Sequence, residues 1–178
     1  MHLSEIAQQN PEKPAYIMAA SGETVTYAAL EAGSNQIANL FRSLGLHRGD
    51  HIAILLENHP LFLQICVAAQ RAGLYFTAIS YRLQSDEVEY IVKDCGAKVC
   101  ITSIDRRAVV EPLLDKLEGL ERFFMLDGVI AGCDALEAAI ESQSTEVIAD
   151  ESIGTSMLYS SGTTGRPKGV YRALPEGV

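Results

Sequence analysis

Basic residues are scarce in this chain: 14 Lys and Arg stand against 23 Asp and Glu in 178 residues, a formal charge of 14 − 23 = −9. Non-specific nucleic-acid binding needs Lys and Arg to displace counterions along the phosphates, and a polybasic membrane anchor needs them clustered, so the balance excludes both. Long apolar runs are missing too. The longest, residues 61–69, is interrupted by Gln64 and followed by Gln70 and Arg71, well short of the ~20 residues that cross a bilayer. Met1-His2-Leu3-Ser4-Glu5 has no basic segment leading into an apolar one, so no secretory signal is expected. Cys66, Cys95, Cys100 and Cys133 form no CxxC pair and have no His at metal-ligand spacing. The expectation is four reduced thiols in a cytoplasmic protein, with no metal site of their own. The composition is neither collagen-like nor that of a disordered chain, and 48% hydrophobic residues suffice for a domain with a core.

What is present is an alternation of short apolar runs and amphipathic stretches. Residues 15–19 and 24–26 flank Ser21-Gly22-Glu23 as a hairpin-like start. A helix follows, with Thr26 as its cap, Ile37, Leu40, Phe41 and Leu44 on one face, and Gly45 at its end. Residues 51–56 read as a strand covered on both faces. Pro60 then opens a helix whose stripe is Phe62, Ile65, Cys66 and Ala69, closed by Gly73. The pattern predicts strands at 74–79, 99–102 and 121–126. Helices are predicted at 84–95, capped by Ser85, at 105–118, with Val110, Leu113, Leu114 and Leu117 inward, and at 134–141. A last apolar run spans residues 156–159. Alternation of this kind specifies βαβ units: an α/β fold with a largely parallel sheet and helices on both faces. In such sheets ligands gather beyond the carboxyl ends of strands.

One loop is distinctive. Ser160-Ser161-Gly162-Thr163-Thr164-Gly165-Arg166-Pro167-Lys168-Gly169 holds three glycines, four hydroxyls, two cations and no acid. Gly162, Gly165 and Gly169 permit positive φ and close backbone approach, so that successive N–H groups can converge on an anion. Lys168 adds a compact positive charge, and Pro167 restrains it beside the loop. The common P-loop is excluded, because no Gly-Lys-Ser/Thr follows Gly162 at the required distance.

The spacing resembles the adenylate-forming superfamily, which includes acyl-CoA synthetases, aryl-CoA ligases, peptide-synthetase adenylation domains and luciferases. Residues 157–168 fit its signature throughout: an apolar strand end, two small residues, Gly, two hydroxyl residues, Gly, any residue, Pro and Lys. Further similarities are Pro11-Glu12-Lys13-Pro14-Ala15, Thr26-Tyr27 with Leu30, Leu46-His47-Arg48-Gly49-Asp50, residues 69–73, and Arg82-Leu83. Two departures stand out: Ala78-Ile79-Ser80 replaces a usual Pro-x-Asn, and residues 171–175 lack a Ser/Thr-His pair. The resemblance implies that residues 1–178 are the incomplete N-terminal part of an AMP-binding domain, ending just after the loop at 160–169, with the C-terminal domain absent. It implies an ATP-dependent acyl-CoA synthetase that uses Mg²⁺, forms an acyl-adenylate and pyrophosphate, and passes the acyl group to coenzyme A. Lys168 is implied as catalytic through charge stabilisation. Ser160, Ser161, Gly162, Thr163, Thr164, Gly165 and Lys168 are implied to hold the phosphates. The isolated stretch is expected to be inactive.

Ordinary explanations cover the other candidates. Arg166 is expected to face solvent, and Arg106-Arg107 to form a solvated face. His2, His47, His51 and His59 suit surface or capping roles. Asp86, Glu87 and Glu89 suit a helix start, and Tyr75, Phe76 and Tyr81 suit core packing. A fatty acid is the first choice of substrate, since no condensation-type domain precedes Met1. An aryl acid, an amino acid, or a non-catalytic phosphate- or nucleotide-binding module stay open.

Overall fold

A computed structural model describes residues 3–160 and 166–175. Its elements, in chain order, begin with α1 (Leu3–Gln9), β1 (Pro14–Ile17), β2 (Thr24–Thr26) and α2 (Tyr27–Ser43), followed by β3 (His51–Leu55) and α3 (Leu61–Arg71). Next come β4 (Tyr75–Ile79), α4 (Ser85–Asp94), β5 (Ala97–Ser103) and α5 (Arg107–Val110). The chain continues through β6 (Arg122–Leu126), β7 (Asp134–Ala135), α6 (Leu136–Glu141), β8 (Thr155–Ser156), β9 (Leu158–Ser160) and β10 (Lys168–Val170). β7-β6-β5-β3-β4-β8 form one parallel sheet. β1 pairs antiparallel with β2, and β9 with β10.

Period-two alternation divides the core into two layers. Ile52 and Ile54 of β3 join Ile37, Phe41, Ile65, Ala69, Ile101 and Leu126 under α2, α3 and α6. Ala53 and Leu55 turn to the opposite face, with Val88, Ile91, Val92, Cys100, Val110 and Met125 under α4 and α5. Burying each Ile, Leu or Phe contributes about 2 kcal/mol, so both layers hold the sheet. A buried ion pair ties α3 to α2: the Arg71 guanidinium donates to the Glu31 carboxylate at 2.8 Å.

Local chemistry sets several boundaries. The Thr26 hydroxyl accepts from the Ala29 N–H at 3.2 Å, and Gly45, at φ +79°, follows the end of α2. Pro60 lies just before α3, where the His59 ring nitrogen Nδ1 accepts from the Leu61 N–H at 3.0 Å. The start of α4 differs from expectation. Gln84 is the cap and the Glu87 carboxylate accepts its N–H at 3.0 Å, while the Ser85 hydroxyl donates to the Val109 carbonyl at 2.8 Å. The helix expected over 105–118 is broken into two 3₁₀ turns flanking the four residues of α5. Pro112 is the cause, because it has no N–H to continue the helix and its ring crowds the preceding turn. The apolar run at 156–159 is shared between β8 and β9, with buried Met157 at the crossing.

Candidate functional site

The stretch expected to bind phosphate, residues 160–169, begins in β9 and ends in β10, which pair antiparallel. The Met157 N–H donates to the Phe76 carbonyl at 3.0 Å, so the chain leaves β8 alongside β4 and heads for the carboxyl end of the sheet. Ser160 and Lys168 are directly paired in register, as are Tyr159 with Gly169 and Leu158 with Val170. Paired residues share a face, so Ser160 and Lys168 project from the same side of the hairpin. Both residues are exposed. Among the described residues no ion pair engages Lys168. An exposed cation next to a hydroxyl, in a chain of net charge −9, fits an anionic group such as a phosphate. Ser161, Gly162, Thr163, Thr164 and Gly165 lie outside the described residues.

The other hairpin face packs on α4. The Tyr159 hydroxyl donates to the Asp94 carboxylate at 2.6 Å, and the Tyr90 hydroxyl donates to the Pro167 carbonyl at 3.1 Å. Burial, followed by the bond to Asp94, pushes the Tyr159 phenol well above its ordinary value, so it stays a donor. Gly169 is not a turn residue here: it lies within β10 without a positive φ. An added Cβ would come 2.5 Å from Met157 Cε and 3.0 Å from Tyr159 Cζ, so this glycine makes room for Tyr159. Arg166 is exposed, as expected, and also meets a ring. Its guanidinium carbon stands 5.1 Å from the Tyr90 ring centroid. Tyr90, Asp94 and Tyr159 escape sequence reasoning, although one signal was available: an acid as the last residue of a helix opposes the macrodipole and calls for a partner elsewhere.

Beyond the carboxyl ends of β3 and β4 lies a cavity of about 920 Å³, with Ile17, Leu56, Phe62, Ile79 and Tyr81 among its lining. At its rim His59 Nε2 is 3.2 Å from the Asp127 carboxylate. Tyr75 and Phe76 belong to the core, as expected, whereas Tyr81 is exposed. Arg106 also departs from a solvated face: it donates to the Tyr81 carbonyl at 3.0 Å and approaches Glu57 at 3.6 Å. Arg107 is exposed and pairs with Glu111. Residues 171–175 return to the amino end of the sheet. There Tyr171 tilts against Tyr75 at 5.1 Å, and the Tyr75 hydroxyl donates to the Arg172 carbonyl at 2.7 Å.

Among the described residues no group of three or more His, Cys, Asp and Glu is placed to hold a metal ion, so none of them is assigned to Mg²⁺. Within the same residues no helix is long and apolar enough to cross a membrane. The cysteines are free thiols: Cys66, Cys95 and Cys100 are buried and Cys133 is half-buried.

Known proteins resemble this chain in sequence and in fold. The family model described as AMP-binding enzyme matches residues 3–173. The long-chain fatty acid transport protein 1 of Bos taurus is 32% identical over 174 residues, covering 92% of this chain and 27% of its own. The long-chain-fatty-acid–CoA ligase FadD13 of Mycobacterium tuberculosis is 30% identical over 171 residues, covering 94% of this chain and 33% of its own. Among solved structures, an anthranilate CoA ligase, AuaEII, in complex with anthranoyl-AMP superposes with a TM-score of 0.86 at 26% identity. That match covers 94% of this chain and 33% of the ligase. The chain therefore spans about a third or less of the length of these proteins.

Proposed function

The chain belongs to the AMP-binding enzyme family, and from that premise we propose that it supplies the phosphate-gripping part of an AMP-forming acyl-CoA synthetase acting on a long-chain fatty acid. The observation that carries this reading is the pairing of Ser160 with Lys168, an exposed ammonium without an acidic partner among the described residues, at the mouth of the Gly/Thr loop.

In the proposed reaction a carboxylate oxygen attacks the α-phosphorus of ATP, the bond from that phosphorus to the bridging oxygen breaks, and pyrophosphate leaves. Negative charge builds on the leaving group. Lys168 and the Ser160 hydroxyl are proposed to neutralise and orient it, and Ser161, Gly162, Thr163, Thr164 and Gly165 to add donors around it. Mg²⁺ bound with ATP supplies further charge neutralisation. The thiol of coenzyme A then attacks the acyl carbon and AMP departs. The complete reaction is proposed for a protein of the relatives' length, and the 178 residues alone for phosphate binding without acyl-adenylate formation. An aryl acid is the second reading, favoured by the fit to the anthranilate ligase.

Calorimetric titration of the 178-residue chain with ATP and with tripolyphosphate tests the reading. Lys168→Ala should weaken both about tenfold or more, the scale of a lost charge-assisted hydrogen bond. Equal affinity in the variant would remove Lys168 from the site. Carboxylate-dependent exchange of labelled pyrophosphate into ATP by the 178 residues would show that they complete the chemistry unaided.

A further inference from the structure

We infer that Tyr90 and Asp94 of α4 are positioning residues for the phosphate hairpin, one holding each arm. This rests on the proposed role of that hairpin. Tyr90 and Asp94 are four residues apart and project from one face of the helix. Asp94 accepts the Tyr159 hydroxyl of the outgoing arm at 2.6 Å. Tyr90 donates to the Pro167 carbonyl at the start of the returning arm, at 3.1 Å, and its ring lies under the Arg166 guanidinium. Lys93, beside Asp94 in the chain, is occupied by Glu89 at 2.7 Å.

The two arms need such a hold. β9 and β10 pair with each other over three residues and are not strands of the parallel sheet, and so short a ribbon is marginal alone. Gly169 leaves room for the Tyr159 ring beside β10, so that Asp94, through that one side chain, holds a residue in close contact with both strands. Ser160 directly follows Tyr159, and Lys168 directly follows Pro167. The clamp thus pre-arranges the hydroxyl and the ammonium before an anion arrives, which reduces the ordering that binding requires.

Two measurements on the 178-residue chain test this: hydrogen exchange of the amides at 158–160 and 168–170 without ligand, and affinity for tripolyphosphate. Asp94→Ala and Tyr90→Phe should each speed hairpin exchange about tenfold while leaving β3 and β5 unchanged, and should weaken tripolyphosphate about fivefold, the scale of one net hydrogen bond. Removing a carboxylate would by charge alone strengthen polyanion binding, so weakening in Asp94→Ala reports position. Asp94→Asn, which keeps an acceptor for Tyr159, should restore slow exchange and bind at least as tightly as wild type. Unchanged hairpin exchange in both Asp94→Ala and Tyr90→Phe overturns the clamp, as does failure of Asp94→Asn to rescue. If the wild type binds no tripolyphosphate, the phosphate reading fails and the exchange results still decide whether α4 holds the hairpin.

Discussion

The Arg71 guanidinium, buried in α3, donates to the Glu31 carboxylate of α2 at 2.8 Å, and the same guanidinium donates to Asn35 one helical turn further on. Removing the cation strands a carboxylate among packed helices. Arg71→Ala should therefore cost about 3 kcal/mol in urea denaturation. Arg71→Met keeps much of the aliphatic packing and should cost less.

Glu31 gives the pair a pH signature. Burial works to raise its carboxyl, but hydrogen bonds from Arg71, Ser4 and Asn35 and the charge of Arg71 outweigh it and hold the group below its ordinary value near 4.5. A depressed carboxyl adds stability above that ordinary value, and the contribution is lost as pH falls through the lowered one. Glu31→Gln should flatten the decline in melting temperature below about pH 4.5.

His51 acts in a higher pH window. Burial lowers its imidazole below the ordinary 6.5, with Asp50 pulling the other way, and the ring stacks on Tyr75 at 4.5 Å. The neutral ring is the folded form, so its contribution is complete above pH 6.5 and fades as pH falls towards the lowered value. His51→Phe keeps an aromatic face for Tyr75 and should make melting less pH-dependent between about pH 7 and 5.

Gly154 delivers the chain to the edge strand β8. A Cβ there would meet the Leu74 carbonyl at 2.4 Å and the Ala69 carbonyl at 2.6 Å, both backbone atoms. Gly154→Ala should cost about 2 kcal/mol or more by thermal unfolding. Because β9 continues from β8, it should also speed exchange in the hairpin.

The thiols should react in a set order. Burial pushes Cys66 up to about 11, and Cys100 is pushed up by burial and then by its neighbours Cys95 and Cys133. Alkylation at pH 8 followed by mass spectrometry should find half-buried Cys133 modified first. Cys66, Cys95 and Cys100 should react at unfolding-limited rates.

Much of the fold was legible in the sequence because the inner strands β3, β4, β5 and β6 are largely covered on both faces and so read as short apolar runs, as residues 51–55 do. The helix stripes at Ile37, Phe41, Ile65 and Ala69 were equally plain. The interruption at Pro112 was readable as well, yet the inward stripe of Val110, Leu113 and Leu117 concealed it. Short α1, with only Ala7 buried, gave too weak a period. In the candidate site, the loop's composition led to the proposed anion binding, whereas the contacts of Tyr90 and Asp94 with the hairpin join residues 77 and 65 positions apart. No local pattern encodes a partner at that distance.

Both outer strands of the parallel sheet, β7 and β8, are only two residues long. An edge presents unpaired backbone groups in proportion to its length, and long flat edges recruit strands from neighbouring molecules. This sheet keeps its longer strands β3, β4, β5 and β6 inside and leaves a minimal template at either side. Among the described residues, the outermost strands themselves therefore offer a neighbouring chain little backbone to pair with, and each covers only two residues of the longer strand beside it.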